Sequence, residues 1–339
     1  MFTSKMASFA ACAMVELKRS FTRRPMKAST TIKSKQLKLF RTHLSPYQKD
    51  NFVARERECL ESHGFIYCDS IEQANVLITN THTNLLEFDS EVLKSIELII
   101  HPNSGYDNFD PGQVQALQSP IILGNKIRAK SVSNYVLSCI HHALTPPPYT
   151  KQWQAGRKWP RRSLQDLEIQ LIGFGHIGKH LCEALSLLAK NVHIYDPYQN
   201  QHELKHQSDI IIFCCSLNQE NMNMVDTAFL NKCKEDLILI NPARGKLIQT
   251  SQLSDWLKSS HKSRAYLDVF ESEPFDLDLM PENCFCTSHI AGVDSSLDQR
   301  IIDFVEEVSL DFSNLSQHDF TTKWSNATLS NKIHSERFI

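Results

Sequence analysis

The stretch Ile169–His180, IQLIGFGHIGKH, decides how the chain is read. A short apolar run leads into three glycines, Gly173, Gly175 and Gly178, at the spacing G-x-G-x-x-G. Ile177, Leu181, Leu185 and Leu188 then recur at helical spacing. Glycines punctuate turns everywhere, so the spacing alone also fits a turn that binds nothing. The context adds what the spacing lacks: a strand before, an amphipathic helix after, and an acid, Asp196 in HIYDP, closing the next strand. In that setting Gly173 allows the tight turn, Gly175 lets backbone approach a pyrophosphate, and Gly178 lets helix and strand pack closely. The helix N-terminus offers free N–H groups and a positive dipole end to the phosphates. Asp196 is suited to accept hydrogen bonds from both ribose hydroxyls and to repel a 2′-phosphate, which favours NAD over NADP. The competing reading is a surface acid in a turn before Pro197.

Outward from this motif the pattern is regular. NVHIYD, SDIIIFCC, DLILIN, SRAYLDVF and CFCTSHIA read as strands, separated by helical stretches such as TSQLSDWLKSS. Upstream, NVLITN (75–80), IELIIHPN (96–103) and PIILGN (120–125) read the same way, with a helix over 130–144. A late helix spans 296–315. Continuous apolar strands alternating with helices predict an α/β fold with parallel sheets covered on both faces.

Composition excludes several classes. The net charge is −2, and residues 1–35 hold eight Lys/Arg against one acid, Glu16. The basic surplus therefore belongs to the N-terminal stretch, and a nucleic-acid-binding core is not expected. That stretch reads as an unstructured extension, with a transit peptide or a true start at Met26 as alternatives. No apolar run reaches the ~20 residues of a membrane span. Ten cysteines are present without a C-x-x-C pair, and several lie inside apolar elements. Neither a disulfide framework nor a metal site is expected, and the location reads as cytoplasmic. His141 and His142 read as helix surface and packing, and Glu271 as a solvated neighbour.

Three later pieces carry chemistry. INPARGKL places Arg244 just past a strand, where ligands of such sheets bind. Its fixed fork of donors suits a carboxylate. YLDVFESEPF delivers Asp268, Glu271 and Glu273, and CTSHIAG places His289 at the end of another strand. An Arg to hold a carboxylate, a His to shuttle a proton and a Glu to fix its tautomer and favour its protonated form would make a site.

In this order, GFGHIG, YDP, SDIIIF, INPARG, LDVFESEP and TSHIAG resemble the D-isomer-specific 2-hydroxyacid dehydrogenase family over roughly Val76 to Leu310. The resemblance implies two Rossmann-like domains with doubly wound parallel sheets, the cofactor domain inserted into the substrate domain. It divides the chain into the extension 1–35, a substrate domain 36–140 and 294–339, and an NAD-binding domain 141–293. The helices over 130–144 and 296–315 become the crossings, and a homodimer contact is implied near the first. The catalytic residues implied are Arg244, Glu273 and His289. The cofactor set is Gly173, Gly175, His176, Ile177, Gly178, Asp196, Ser216, Ala243 and Asp268, the last near the nicotinamide amide. NSGYDNFD resembles the family's substrate-carboxylate loop, which implies backbone donors at Ser104 and Gly105 beside Arg244.

The resemblance implies an NAD-dependent oxidoreductase interconverting a 2-keto acid and a D-2-hydroxy acid. The alternative is a dinucleotide-sensing regulator or corepressor on the same fold, since fold does not fix function. Glyoxylate or hydroxypyruvate, 3-phosphoglycerate and 4-phosphoerythronate are all compatible substrates. Departures from the family pattern are Val132-Ser133-Asn134 in the first crossing helix, Ser216 after the CC pair, and Ser288 before the His. The chain ends soon after the second crossing helix, so no C-terminal regulatory domain is expected. Only PYQNQHELKHQS separates Asp196 from the strand beginning at Asp209. A cofactor sheet lacking its outermost strand is therefore expected, with NVHIYD at the edge, HELKH as a short helical turn, and a shallow adenine side.

Overall fold

The computed structural model describes residues 35–144, 149–153, 155–159 and 162–333. The expected extension, but for Lys35, and the prolines at 146–148 lie outside the described residues.

Two all-parallel sheets organise the chain. The first has five strands, β1 (Lys38–Arg41), β2 (Ile66–Tyr67), β3 (Val76–Ile78), β4 (Leu98–His101) and β5 (Ile121–Leu123), in the order β2-β1-β3-β4-β5. Every residue of β3, β4 and β5 is buried, as expected for strands covered on both faces. Helices α1 (Phe52–Ser62), α2 (Ser90–Ser95) and α3 (Pro111–Ala116) connect them. The Asp89 carboxylate caps α2 and that of Asp110 caps α3. A buried ion pair, Arg41 to Glu56, joins β1 to α1, and Tyr67 Oη donates to the same carboxylate at 2.8 Å. The long helix α4 (Ala129–Ala143) then leads toward the second sheet.

The second sheet has six strands: β6 (Glu168–Ile172), β7 (Asn191–Tyr195), β8 (Ile210–Phe213), β9 (Ile238–Asn241), β10 (Arg264–Leu267) and β11 (Cys284–Cys286). Their order is β11-β10-β9-β8-β6-β7. The helices between them are α5 (His176–Leu185), α6 (Thr227–Leu230) and α7 (Thr250–Ser259). The chain returns through α8 (Leu297–Asn314), α9 (Gln317–Trp324) and α10 (Leu329–Ile333). Val305 and Val308 of α8 and Phe320 of α9 share a core with β1, β3, β4 and β5. On the second sheet, α4 and α5 pack on one face through Val136, Ile140, Leu181 and Leu185.

The strand order reverses between β6 and β8, the kind of switch point where ligands of open α/β sheets bind. As expected, β7 is the sheet edge. Beyond it lies only a one-residue bridge between Asp196 and Gln201, which closes a tight turn through Asn200 in the left-handed region. Two details differ from the sequence reading. HELKH is not a helical turn; its backbone is irregular up to a turn at His206–Gln207. Lys205 N donates at 2.9 Å to the side chain of Gln170, a fully buried residue of β6, and that bond replaces a helical one. The helical turn falls earlier, at Pro197–Gln199, where proline presets the backbone and Asp196 caps it. Leu188 lies past the end of α5 and is half exposed, so it is no part of the buried face.

Candidate active site

Between β6 and α5 the glycines occupy three different environments. Gly173 has φ +101°, and a Cβ there would stand 2.6 Å from the Cys215 backbone. At Gly178 a Cβ would meet the Gly173 carbonyl oxygen at 2.3 Å, so turn and helix interlock. Gly175, which precedes α5, has nothing within 4 Å of that position and is exposed. The turn is thus closed toward the protein and open at Gly175, a cradle that fits an approaching pyrophosphate. His176 is exposed and Ile177 partly buried on the first turn of α5. Asp196 sits at the C-terminal end of β7, and its carboxylate is already engaged. It accepts from Phe174 N at 2.8 Å, Tyr198 N at 3.1 Å and Gln199 Nε2 at 2.9 Å. This acid fastens the glycine turn to the end of β7. Ser216, exposed beyond β8, accepts a hydrogen bond from Asn221 on its carbonyl. Ala243 is buried beyond β9, and its N–H donates to Asn241 Oδ1.

The ionisable residues leave the C-terminal ends of three adjacent strands: Arg244 after β9, Glu273 after β10, His289 after β11. His289 Nδ1 is 2.8 Å from Glu273 Oε2, and Glu273 Oε1 accepts from Phe270 N at 3.1 Å. A carboxylate only accepts, so Nδ1 carries the proton and Nε2 is left for proton exchange. His289 holds a positive φ of +56°, unusual for a residue with a side chain. Its loop is held by Asp268. That carboxylate is almost fully buried and accepts from Thr287 Oγ1 at 2.6 Å, Ile290 N at 2.7 Å and Ala291 N at 2.9 Å. Burial raises the Asp268 carboxyl above its ordinary range, and these donors pull the other way. Tyr135 of α4 joins the chain, with Oη 2.8 Å from Thr287 Oγ1. Glu271 is exposed, as read, but it also accepts from Thr250 N at the start of α7.

Arg244 reaches the first sheet. Its Nε donates to Asp107 Oδ2 at 2.5 Å and its Nη1 to the Ala243 carbonyl at 2.7 Å. A Cβ on Gly105 would lie 1.9 Å from Arg244 Nη2, so only glycine lets the loop after β4 approach the guanidinium. Ser104 beside it is exposed. That loop is anchored by His101, a residue the motif reading missed. Buried at the end of β4, His101 pairs through Nε2 with the Gly105 carbonyl and through Nδ1 with Thr79 Oγ1, both at 2.8 Å. The carbonyl can only accept, which fixes the neutral Nε2–H tautomer. Burial pushes the imidazole down to about 4. The available signal was a polar residue ending the apolar run LIIH. Asp107 was also missed, though it lies inside NSGYDNFD. His142 packs edge-on to Phe285 and pairs with Tyr266 Oη at 2.8 Å, a packing role as read.

Residues 148–291 match the model described as "D-isomer specific 2-hydroxyacid dehydrogenase, NAD binding domain". Residues 148–291 thus match the NAD-binding domain of the D-isomer-specific 2-hydroxyacid dehydrogenase family. The matched domain makes NAD the cofactor, and the relatives are named dehydrogenases and reductases. The chain is 27% identical over 219 residues to an (S)-sulfolactate dehydrogenase of Chromohalobacter salexigens, covering 58% of this chain and 71% of that protein. It is 30% identical over 172 residues to a hydroxypyruvate reductase of Blautia hydrogenotrophica, covering 45% and 53%. The match thus spans about half the length of the second relative. In fold it is similar to a D-lactate dehydrogenase of Aquifex aeolicus complexed with NAD and lactic acid. There the TM-score is 0.65 at 18% identity, over 86% of this chain and 98% of that one. Among the described residues no helix is long and apolar enough to cross a membrane.

Proposed function

We propose that this protein interconverts a 2-keto acid and a D-2-hydroxy acid, with His289, Glu273 and Arg244 as its working groups. The observation that carries the reading is the contact of Arg244 with the Gly105 loop, beside a His289–Glu273 pair on adjacent strand ends. The fully engaged Asp268 carboxylate positions the His289 loop. NAD, when bound, supplies or takes up the hydride. Gly173, Gly175, Gly178, His176 and Ile177 would form the cradle for its pyrophosphate, and Asp196 would take the ribose on the capacity left beside its three donors. Ser216 and Ala243 line the remaining wall.

Arg244 and the backbone at Ser104 and Gly105 orient the substrate carboxylate, so positioning carries much of the rate. His289 Nε2 delivers a proton to the keto oxygen during reduction and removes it in the reverse direction. Glu273 keeps Nδ1 protonated, which reserves Nε2 for that exchange.

Substrate domain 36–140 with 294–339 and cofactor domain 141–293 belong to the same reading. A homodimer in the cytoplasm does too. Tyr149 and Trp153, just past α4, are 90% and 83% exposed, which supports a protein contact there. The testing experiment is NADH and NADPH oxidation with a panel of glyoxylate, hydroxypyruvate, phosphorylated and sulfonated 2-keto acids. Turnover of at least one acid with NADH is expected. Binding of NADH without turnover of any would favour a dinucleotide sensor instead.

A further inference from the structure

A cluster of ligating side chains lies on helices that contribute none of the proposed working groups. Cys59 is on the last turns of α1, and His63 follows that helix immediately, four residues on, so both project from one face. Glu306 comes from α8, which packs against α1. The Cys59 Sγ, His63 imidazole nitrogen and Glu306 carboxylate oxygen all lie within 4.8 Å of one another, and His63 Nε2 is 2.5 Å from Glu306 Oε1.

We propose that Cys59, His63 and Glu306 form a three-ligand site for a thiophilic divalent cation, Zn2+ by its donor set.

Three observations carry this. A tetrahedral Zn2+ with S, N and O ligands needs donor atoms about 3.5 Å apart, so those within 4.8 Å have little distance to close. One thiol, one imidazole and one carboxylate match zinc and do not match Ca2+ or Mg2+, which take oxygen ligands. The charged groups bearing on Cys59 are Glu306, Asp303 and Glu56, all anionic. A divalent cation reverses that local field and leaves a thiolate. Cys59 and Glu306 are half-buried and His63 is exposed, which leaves the fourth position to water. The bound ion would clip α1 to α8, two helices far apart in the chain.

The test uses the full chain, stripped with a chelator under reducing conditions and titrated with ZnCl2 and, separately, CoCl2. One equivalent of either metal should bind, and Co2+ should show tetrahedral ligand-field bands with a thiolate-to-metal charge-transfer absorption. Cys59→Ser should abolish that absorption, whereas Cys284→Ser should retain it. His63→Ala and Glu306→Gln should each weaken Zn2+ by at least about 10-fold, the scale on which even outer-shell changes act. Zinc should raise the Tm of the parent and leave that of Cys59→Ser unchanged. Should Cys59→Ser fail to fold, Glu306→Gln, similar in size and shape, carries the same comparison. Absence of a thiolate band, or stoichiometric binding that survives Cys59→Ser and Glu306→Gln, would overturn the site and leave His63–Glu306 as a plain helix-to-helix pair.

Discussion

His289 Nδ1 lies 2.8 Å from Glu273 Oε2, on a backbone turned to φ +56°. Two loops from different strands meet at that contact, and the imidazole is held by the nitrogen not needed for chemistry. Replacing His289 by Ala should lower keto-acid reduction by roughly 10²–10⁴-fold, the usual scale of general acid catalysis. NADH binding should persist, because no glycine-turn contact involves this residue. Steady-state kinetics beside a fluorescence titration of NADH separates the two effects, and near-parental kcat would remove His289 from the proton path.

Gly105→Ala tests the meeting of the two sheets. The added methyl would collide with Arg244 Nη2, the far end of a flexible side chain, so the fold can yield there at little cost. The guanidinium cannot keep its place. Activity should fall by about 10²-fold, as expected for a misplacement of about 1 Å at a positioning group, while Tm changes little. Arg244→Lys should lose most activity as well, since an ammonium cannot make a bidentate contact. Unchanged KM and kcat in both variants would show that Arg244 does not touch substrate.

What was legible in the chain was what is local in sequence. The β6–turn–α5 unit, Arg244, Glu273 and His289 each sit within a few residues of a strand end, and a strand end fixes where a side chain emerges. The first sheet was harder to read. KLFR is only four residues long, and its partner strands come from β2 and β3 further along the chain. The partners of known residues were also hidden. Nothing in IELIIHPN says that His101 is buried neutral under Gly105, because Thr79 comes from the end of another strand, just past β3. HELKH failed as a helical turn for the same reason: its backbone partner, Gln170, lies 35 residues upstream.

Asp196 has a structural duty that its proposed cofactor role must share. Because it holds Phe174 N, Asp196→Ala should loosen the glycine turn and cost about 1–3 kcal/mol, the range for unsatisfying a partly buried hydrogen bond. NADH affinity should fall more than that of NADPH, since a ribose acceptor and a repulsion vanish together. Adding a basic residue at Gln199 should then bring NADPH ahead. Urea unfolding and titrations of both nucleotides check the pair of claims, and an unaltered NADH/NADPH ratio would limit Asp196 to its fastening role.

His101 predicts a pH dependence. Its folded imidazole titrates at about 4, against about 6.5 in an unfolded chain, so the unfolded state binds more protons between those values. Stability from this group is therefore complete above pH 6.5 and lost as pH falls toward 4, amounting to about 3 kcal/mol at the acid end. His101→Gln, which can still donate to the Gly105 carbonyl, should flatten the stability curve in that window. It should also retain more activity at neutral pH than His101→Ala. Parallel stability curves for parent and His101→Gln between pH 4 and 6.5 would contradict the buried neutral assignment.

The shortened cofactor sheet rests on Gln170. With only a dozen residues between Asp196 and Asp209, the chain has no room for a further strand and helix beyond β7. The segment 202–205 instead runs back without regular structure, and its backbone still needs partners. Gln170, buried in β6, supplies one: its Oε1 accepts from Lys205 N at 2.9 Å while its Nε2 donates to the Leu171 carbonyl at 2.9 Å. A polar side chain in the middle of a parallel sheet is costly unless both ends are satisfied, and here both are. Leu204 is thereby placed against the apolar cluster that includes Phe213 and Phe229. Gln170→Leu keeps the volume and removes the acceptor. Stability should fall by about 1–2 kcal/mol, and amide exchange should quicken at Lys205 and its neighbours while β6 stays protected. In the proposed reading this segment borders the adenine side, so NADH affinity should weaken modestly. Uniform exchange rates across 201–207 in parent and variant would show that Gln170 does not hold the segment.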